Sequence, residues 1–265
     1  MNGGADEPPS GRRPDVIFVP TKMEVVELML NLAEVDSTDV VYDLGSGDGR
    51  IVITAASQRG ARGLGIDIDP ARIRESLFNA DTAGVADKVE FRRADLFRAD
   101  LRPATAVMLY LLPHLNVRLR PKLYSELPPG TPVVSNTFDM GTWEADSTVV
   151  MGERHIYLWH VPATVAGTWL LQVGDSASGV KGEVEITQRY QFISGIVRPG
   201  SRADTLTNTH LHGDSISFTA KIGESTTTFD GIVTGASMMG ATRTGTPWRA
   251  VRRGPAGSPF PLERR

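Results

Sequence analysis

Between Asp39 and Asp69 the chain reads DVVYDLGSGDGRIVITAASQRGARGLGIDID, and the residue types and spacing here are those of a binding site. Gly45, Gly47 and Gly49 follow an apolar run, Val40 to Tyr42, and precede a helix-like stretch from Ile51. Glycines are needed where the chain turns with φ > 0 and where a ligand must touch backbone. The helix N-terminus behind them presents free N–H groups. A second apolar run, Leu64 to Ile66, ends on Asp67, about twenty residues past the glycines, and an acid at that distance suits a ribose diol. In an open parallel sheet Asp67 falls at the carboxyl end of the next strand, beside the glycine loop. The implied chemistry is the binding of a nucleotide-type ligand.

A dinucleotide site wants G-x-G-x-x-G or A, but counting from Gly45 the third position is Arg50, and the glycines run G-x-G-x-G. Asp43, two residues before Gly45, would answer an ammonium group and repel a pyrophosphate. A cationic ligand with a ribose and no phosphate fits better, and S-adenosylmethionine is such a molecule. On these residues the sequence resembles the class I methyltransferases. The resemblance implies that Asp43 with Gly45, Ser46, Gly47 and Gly49 holds the methionine part and Asp67 the ribose, with Asp95 in VEFRRADLF near adenine. Ile68 and Leu96, which follow the last two acids, complete that part of the cofactor set.

The chain has 265 residues, which favours two domains, each able to bury a core. With 28 basic against 31 acidic residues the net charge is −3, which gives no overall attraction for a nucleic-acid backbone. There is no cysteine, hence no disulfide framework and no thiolate metal site. The first residues, MNGGADEPPSGRRPD, lack the apolar core of an export signal, and no apolar run approaches the 18 residues of a membrane span. The expectation is a cytoplasmic protein, with a trimmed signal left open.

The elements needed to position these residues follow along the chain. Residues 1–14 are too polar to offset their ordering entropy and are expected to be a disordered tail. In IFVPTKMEVVELMLNLAEV, Thr21 and Glu24 have the spacing of a capping box, and Val26, Met29, Leu30 and Ala33 recur at helical intervals. After Asp67, Asp69 is a helix cap with Pro70 behind it; Ile73, Leu77 and Ala80 make a stripe, and Gly84 closes the helix. Strands follow at Val89 to Arg92, in ATAVMLYLLP ending near Tyr110, and in PVVSNTF; TVVMGERHIYLWHV is a hairpin turning at Gly152 and Glu153. Seven strands in all match the plan of the methyltransferases the sequence resembles, so the fold class expected for residues 15–160 is α/β, a seven-stranded Rossmann-like methyltransferase sheet with helices on both faces and, as the resemblance implies, one antiparallel strand. From residue 161 to 253 about eight short strands alternate with turns, as in a small all-β barrel-like meander. Residues 254–265 are expected to form a second disordered tail.

The leader Phe18 to Thr21, the segment LYLLPHLNVRLRPKL and the following LPPGTPVVSNTFDMGTW resemble one branch of that family. It comprises the broad-specificity archaeal protein lysine methyltransferases and the mitochondrial enzymes that methylate the ATP synthase c-subunit. The resemblance implies that Phe18 and Thr21 lie against the cofactor, with a staple or a plain cap as the alternative. FDGIVTGASMMG resembles C-terminal modules of some bacterial members of the branch, for which a partner, a product or added stability are the possible roles.

Enzymes acting on planar amides and nucleobase amines carry D/N-P-P-Y after the fourth strand, where this chain has Tyr110, Leu111, Leu112 and Pro113. That favours a flexible amine, and the resemblance to the lysine-methylating branch implies protein lysine most of all. Its pKa of about 10.4 makes deprotonation at pH 7 cost about 4.6 kcal/mol, and a narrow apolar channel lowers that cost by desolvation. Tyr110, a carbonyl near Pro113, Asn116 and Asn136 are expected to line the channel. A packed aromatic is the alternative for Tyr110, and a helix cap for Asn116. A small-molecule N- or O-acceptor and a non-catalytic cofactor-binding module are the other functional readings. His210 and His212 share a strand face but lack a visible third ligand, so no metal is expected; the four tryptophans are expected in cores.

Overall fold

The β-branched, apolar run at Val40–Leu44 is what a strand covered on both faces requires, and it forms β1, buried from Val41 to Leu44. The computed structural model describes residues 18–175, 179–200 and 203–260, and the chain divides into two compact units, Met1–Val161 and Pro162–Arg265.

In the first unit β1 lies parallel to β2 (Arg62–Asp67) on one side and to β4 (Ala106–Leu109) on the other. With β3 (Val89–Arg93), β5 (Pro132–Asn136), β6 (Ser147–Met151) and β7 (Arg154–His160), the sheet order is β3-β2-β1-β4-β5-β7-β6. Only β7 runs against its neighbours, paired antiparallel to both β5 and β6. The order reverses between β1 and β4, so their carboxyl ends open a crevice there, which is where ligands bind in such sheets. Helices α1 (Met23–Leu32), α2 (Arg50–Thr54), α3 (Pro70–Thr82) and α4 (Pro113–Glu126) complete the unit, α2 running on into a π-helical turn at Ala55–Arg59.

Two local expectations need correction. The T-x-x-E capping box does not form: Lys22 occupies the N-cap of α1 with no side-chain cap, and the carbonyl of buried Thr21 instead accepts a 2.7 Å hydrogen bond from Arg50 Nη1. A tertiary bond to a cation has taken the residue that local spacing assigns to the helix. In α3, Asp69 caps through a 2.7 Å bond from Ala71 N–H, with Pro70 at the first position as expected, but Leu77 of the proposed stripe is 51% exposed. The buried positions are the small Ser76 and Ala80, because α3 approaches the glycine loop so closely that Ser76 and Phe91 leave no room for a Cβ on Gly49.

The second unit is an antiparallel, barrel-like sheet of β8 (Gly167–Val173), β9 (Val180–Arg189), β10 (Phe192–Arg198), β11 (Asp204–Thr205), β12 (Thr207–His212), β13 (Ser215–Ile222), β14 (Ser225–Thr234), β15 (Ser237–Thr242) and β16 (Pro247–Arg253). The first and last of these pair with each other, and β11 and β12 form the two ends of the nine-stranded order. These two are halves of one kinked segment, β11 on β10 and β12 on β13; Leu206 N–H to Gly195 O (2.9 Å) and Thr209 Oγ1 to Ile193 O (2.7 Å) draw the ends together. Phe218, Phe229, Trp169 and Trp248 fill the interior, Phe218 and Phe229 stacked at 4.9 Å. Trp143 and Trp159 pack in the core of the first unit, so all four tryptophans are interior as expected. His210 and His212 do share a face, their rings parallel at 6.3 Å.

One polar residue organises the start of this unit. Gln188 is buried, and all four of its hydrogen-bonding positions are used: Oε1 accepts from Val165 and Ala166 N–H, and Nε2 donates to Ala163 and Tyr190 carbonyls, at 2.7 to 3.1 Å. The segment after Gly254, expected to be disordered, is placed as far as Phe260. Gly257 N–H bonds Ala166 O, Pro259 O accepts from Tyr190 N–H, and the Phe260 ring meets Tyr190 edge-on at 5.9 Å. Backbone bonds and one aromatic ring hold a stretch whose Gly/Pro composition suggests none. Residues 1–14 and 261–265, the rest of the expected tails, lie outside the described residues. No described helix is long and apolar enough to cross a membrane.

Replacing Gln188 by leucine strands four buried backbone groups, each with a desolvation cost, and should lower stability by about 2–4 kcal/mol. Denaturant unfolding of the full chain monitored by tryptophan fluorescence measures this; an unchanged midpoint would remove Gln188 as the organising residue.

Candidate cofactor and acceptor site

The loop after β1 turns on three left-handed glycines, Gly45 (φ +91°), Gly47 (φ +54°) and Gly49 (φ +81°), a conformation that costs L-residues steric strain. The N–H groups of Gly45 and Ser46 both bond Ile66 O at the end of β2 (2.8 and 3.0 Å), and Gly47 N–H bonds Asp67 Oδ2 at 2.9 Å. The other oxygen of Asp67 accepts from Asp69 N–H at 2.8 Å. One carboxylate thus ties the glycine loop, the end of β2 and the start of α3 together.

These elements wall a cavity of about 560 Å³, a size suited to a small-molecule cofactor. Phe18, Thr21, Asp43, Gly45 and Ser46 line it, as do Asp67, Ile68, Asp95 and Leu96, with Tyr110 at the β4 side. Gly47 and Gly49 do not line it: the Phe18 ring lies directly over Gly47, and Gly49 is packed against Phe91 and Ser76. Their role is to let aromatic rings and a helix come close. Asp95 is buried and its carboxylate accepts Phe97 N–H at 3.0 Å.

Sequence reasoning missed Asp48, Arg50 and Arg72. Arg50 grips both oxygens of Asp48 through Nε and Nη2 (2.9 and 2.5 Å) while Nη1 reaches the Thr21 carbonyl. The leader is therefore pinned to the glycine loop by a guanidinium. Phe18 is held in turn by Arg72, whose guanidinium carbon sits 4.7 Å from the ring centre. The signal was present, since Arg50 occupies the position where dinucleotide sites keep a small residue; nothing local indicates what it holds.

The electrostatics select the ligand's charge. Burial, reinforced by Asp67 and Asp48, pushes the Asp43 carboxyl up to about 8. Burial also raises Asp67, against the opposing hydrogen bonds from Asp69 and Gly47 N–H. The Ser46 hydroxyl, another lining group, is buried without a partner. Asp43 and Asp67, which have no ion-pair partner among the described residues, beside the Ser46 hydroxyl, fit S-adenosylmethionine, whose sulfonium and ammonium groups supply positive charge. Asp43, Ser46, Asp67 and Asp95 are the residues that would hold it.

On the acceptor side Tyr110 follows β4, stacks with Phe138 at 6.3 Å and accepts a 3.3 Å hydrogen bond on its phenol oxygen from Arg154 Nη1. Of the residues expected beside it, Asn116, Asn136 and Pro113 do not line the cofactor cavity. Asn116 is fully buried inside α4, and its Nδ2 contacts Ser135 Oγ, Phe138 O and Asp139 O at 3.0 to 3.2 Å. It is neither a cap nor a wall, because Pro113 starts the helix three residues earlier. Asn136 is equally buried, and its Oδ1 accepts from the hydroxyl of Thr137 at 2.9 Å. Both asparagines brace the turn that carries Phe138 and, through it, Tyr110.

The sheet order, the glycine loop on acid-bearing strand ends and the crevice between β1 and β4 define an S-adenosylmethionine-dependent methyltransferase of the Rossmann-like class. The family model for the ANTKMT methyltransferase domain matches residues 43–147. A protein-lysine N-methyltransferase from Saccharolobus islandicus is 42% identical over 137 residues, which cover 51% of this chain and 85% of that one. The chain belongs to the same methyltransferase family as that enzyme. Adenine nucleotide translocase lysine N-methyltransferase from Mus musculus is 35% identical over 150 residues, 56% of this chain and 65% of that relative. Among solved structures, an RNA methyltransferase from Salinibacter ruber in complex with S-adenosyl-L-homocysteine is 58% identical, with a TM-score of 0.55, over 56% of this chain and 96% of its own.

Two outcomes follow from this geometry. Asp43 holds its proton in the folded, unliganded protein up to a pH of about 8, whereas unfolded it loses it near the ordinary carboxylate range. Stability of the unliganded protein therefore falls as pH rises from about 4 towards 8, and a cationic ligand that favours the carboxylate releases a proton on binding. Calorimetry of S-adenosylmethionine binding between pH 6 and 7.5, in buffers of different ionisation enthalpy, should show that release and an affinity rising with pH. Asp43→Asn should abolish both effects, and equal proton release in that variant would sink the assignment.

The second concerns the pinned leader. Arg50→Met and Phe18→Ala should each weaken S-adenosylhomocysteine binding by roughly tenfold, as expected for losing hydrogen bonds to a charged group or one packed ring. Because both act through the same segment, the double variant should be little worse than the single ones. Fully additive losses would show that the two contacts are independent.

Proposed function

We propose that this methyltransferase acts on the side-chain nitrogen of lysine in a protein. The observation that carries the reading is Tyr110 at the end of β4, where the enzymes of planar amides and bases place Asp or Asn, with its phenol oxygen engaged by Arg154. An oxygen that already accepts from a guanidinium turns its own hydrogen elsewhere and retains a lone pair. It can accept an N–H from a neutral amine and so orient the nitrogen lone pair. S-adenosylmethionine supplies a methyl group activated on sulfur. This chain's residues bind and screen: Asp43 and Asp67 answer the cofactor's charge and ribose, and Phe18 with Arg50 keeps water from the loop. Apolar Leu111 and Leu115, beside Tyr110 in the same cavity, favour the uncharged form of an incoming amine by desolvation. Relatives named for lysine methylation support the acceptor.

A second reading, methylation of RNA, is favoured by the description of the Salinibacter ruber structure and its 58% identity. Against it stand the acids of the site and the net charge of −3, neither of which suits a phosphate backbone.

Incubation with methyl-labelled cofactor and a lysate of the host organism, followed by separate nuclease and protease digestion, decides between them. Label that survives nuclease and maps to lysine is the expected result; label that survives protease but not nuclease would give the acceptor to RNA, and label confined to small molecules would exclude both. Tyr110→Phe should lower kcat roughly 10- to 100-fold with S-adenosylhomocysteine affinity retained.

A further inference from the structure

A second cavity, of about 500 Å³, has no wall from the glycine loop, and Tyr110 is common to the walls of both cavities. Its other walls include Glu24 near the start of α1, Thr137 after β5, and Met151, Glu153 and Arg154 from the β6–β7 hairpin. None of these belongs to the set that fits the cofactor.

The shape of this cavity is held by specific interactions. Thr137 has φ +72°, a left-handed conformation rare for a β-branched residue and sustained only where surroundings dictate it. Here its N–H bonds His155 O at 2.7 Å and its hydroxyl bonds Asn136 Oδ1 at 2.9 Å. The opposite wall turns at Gly152, φ +61°, between the paired ends of β6 and β7. Of the charged side chains around the space, Lys22 and Glu24 face each other at 3.9 Å and Arg154 is directed at Tyr110. Neither Glu153 nor Arg154 has an ion-pair partner among the described residues; Arg154 is engaged with the Tyr110 phenol, which leaves the Glu153 carboxylate for an incoming cation.

We propose that this second cavity is the acceptor's vestibule. The aliphatic arm of a lysine in an extended, basic polypeptide segment passes between Thr137 and Met151 to bring its nitrogen to the phenol of Tyr110, and Glu153 pairs with a cation flanking that lysine. This rests on the lysine reading above. The amine enters the step uncharged, having given its proton to solvent; its lone pair forms the N–C bond as the C–S bond breaks. The electron pair of that bond leaves on sulfur as S-adenosylhomocysteine, and the methylated ammonium sheds its proton to solvent. The Glu153 carboxylate attracts a cation beside the target lysine.

The full chain and two variants at the hairpin, Met151→Trp and Glu153→Lys, are compared with methyl-labelled cofactor and host lysate, with S-adenosylhomocysteine affinity as the control for folding and for the first cavity. Met151→Trp fills the vestibule and should cut transfer more than tenfold with affinity within twofold of the parent. Glu153→Lys should raise severalfold the lysate protein concentration giving half-maximal rate, leave the maximal rate unchanged, and be partly rescued by added salt. Parental transfer rates in Met151→Trp overturn the vestibule. If the parent labels RNA and Met151→Trp abolishes that labelling, the lysine reading and the peptide ligand fall while the cavity stands as the acceptor path. If Glu153→Lys saturates like the parent, the cation-pairing role of Glu153 is wrong.

Discussion

The carboxylate of Asp67 sets the geometry on which the site depends. It accepts one N–H from the glycine loop and one from the start of α3, so three chain segments that must converge on a ligand are referred to a single pair of oxygens. The glycines make this possible by turning where other residues would strain, and the close approach of α3 to Gly49 follows from the same compaction. The cost is electrostatic: Asp43 is buried, with Asp67 and Asp48 close by, and the protein carries an acid that holds its proton at neutral pH. A site built this way is incomplete until positive charge enters it, which links the fold directly to the kind of cofactor it accepts.

What was legible in the sequence was whatever depends on residue type and spacing along one segment. The glycine loop, the acids at the ends of β1 and β2 and after β3, the Asp69–Pro70 cap and the Gly152–Glu153 hairpin turn are local patterns, and the count of seven strands follows from their rhythm. What stayed hidden is set by partners far away in sequence. Thr21 has the spacing of a cap until Arg50, 29 residues on, takes its carbonyl. Asn116 looks available to a substrate until the turn at Phe138 and Asp139 closes on it. Leu77 follows the apolar period but faces solvent, because small residues were needed beneath it. Even the ordered stretch up to Phe260 depends on Tyr190 and Ala166, which no nearby residue announces.

Both units solve one problem in opposite ways. In the first, one buried polar group without a partner among the described residues, the Ser46 hydroxyl, borders the ligand cavity. In the second, the buried amide of Gln188 is saturated by four backbone partners and rigidly joins the segment at Ala163 to the barrel wall. A buried polar group left unsatisfied is costly and suits a place where a ligand arrives; one fully bonded confers a unique arrangement and suits a scaffold.

The pairing of β8 with β16 has a consequence for how the chain is made. The methyltransferase sheet has all its strands once synthesis passes His160, so it can fold while the remainder is still being produced. The barrel cannot: the outer edge of its first strand waits for its last, and that partner arrives only at Arg253, after every other strand of the unit. The second unit is therefore a module of high contact order, completed only once its last strand has been made, with its first and last strands side by side. Adjacent ends of this kind are what allow a domain to be gained or lost as one piece without rearranging the enzyme that precedes it.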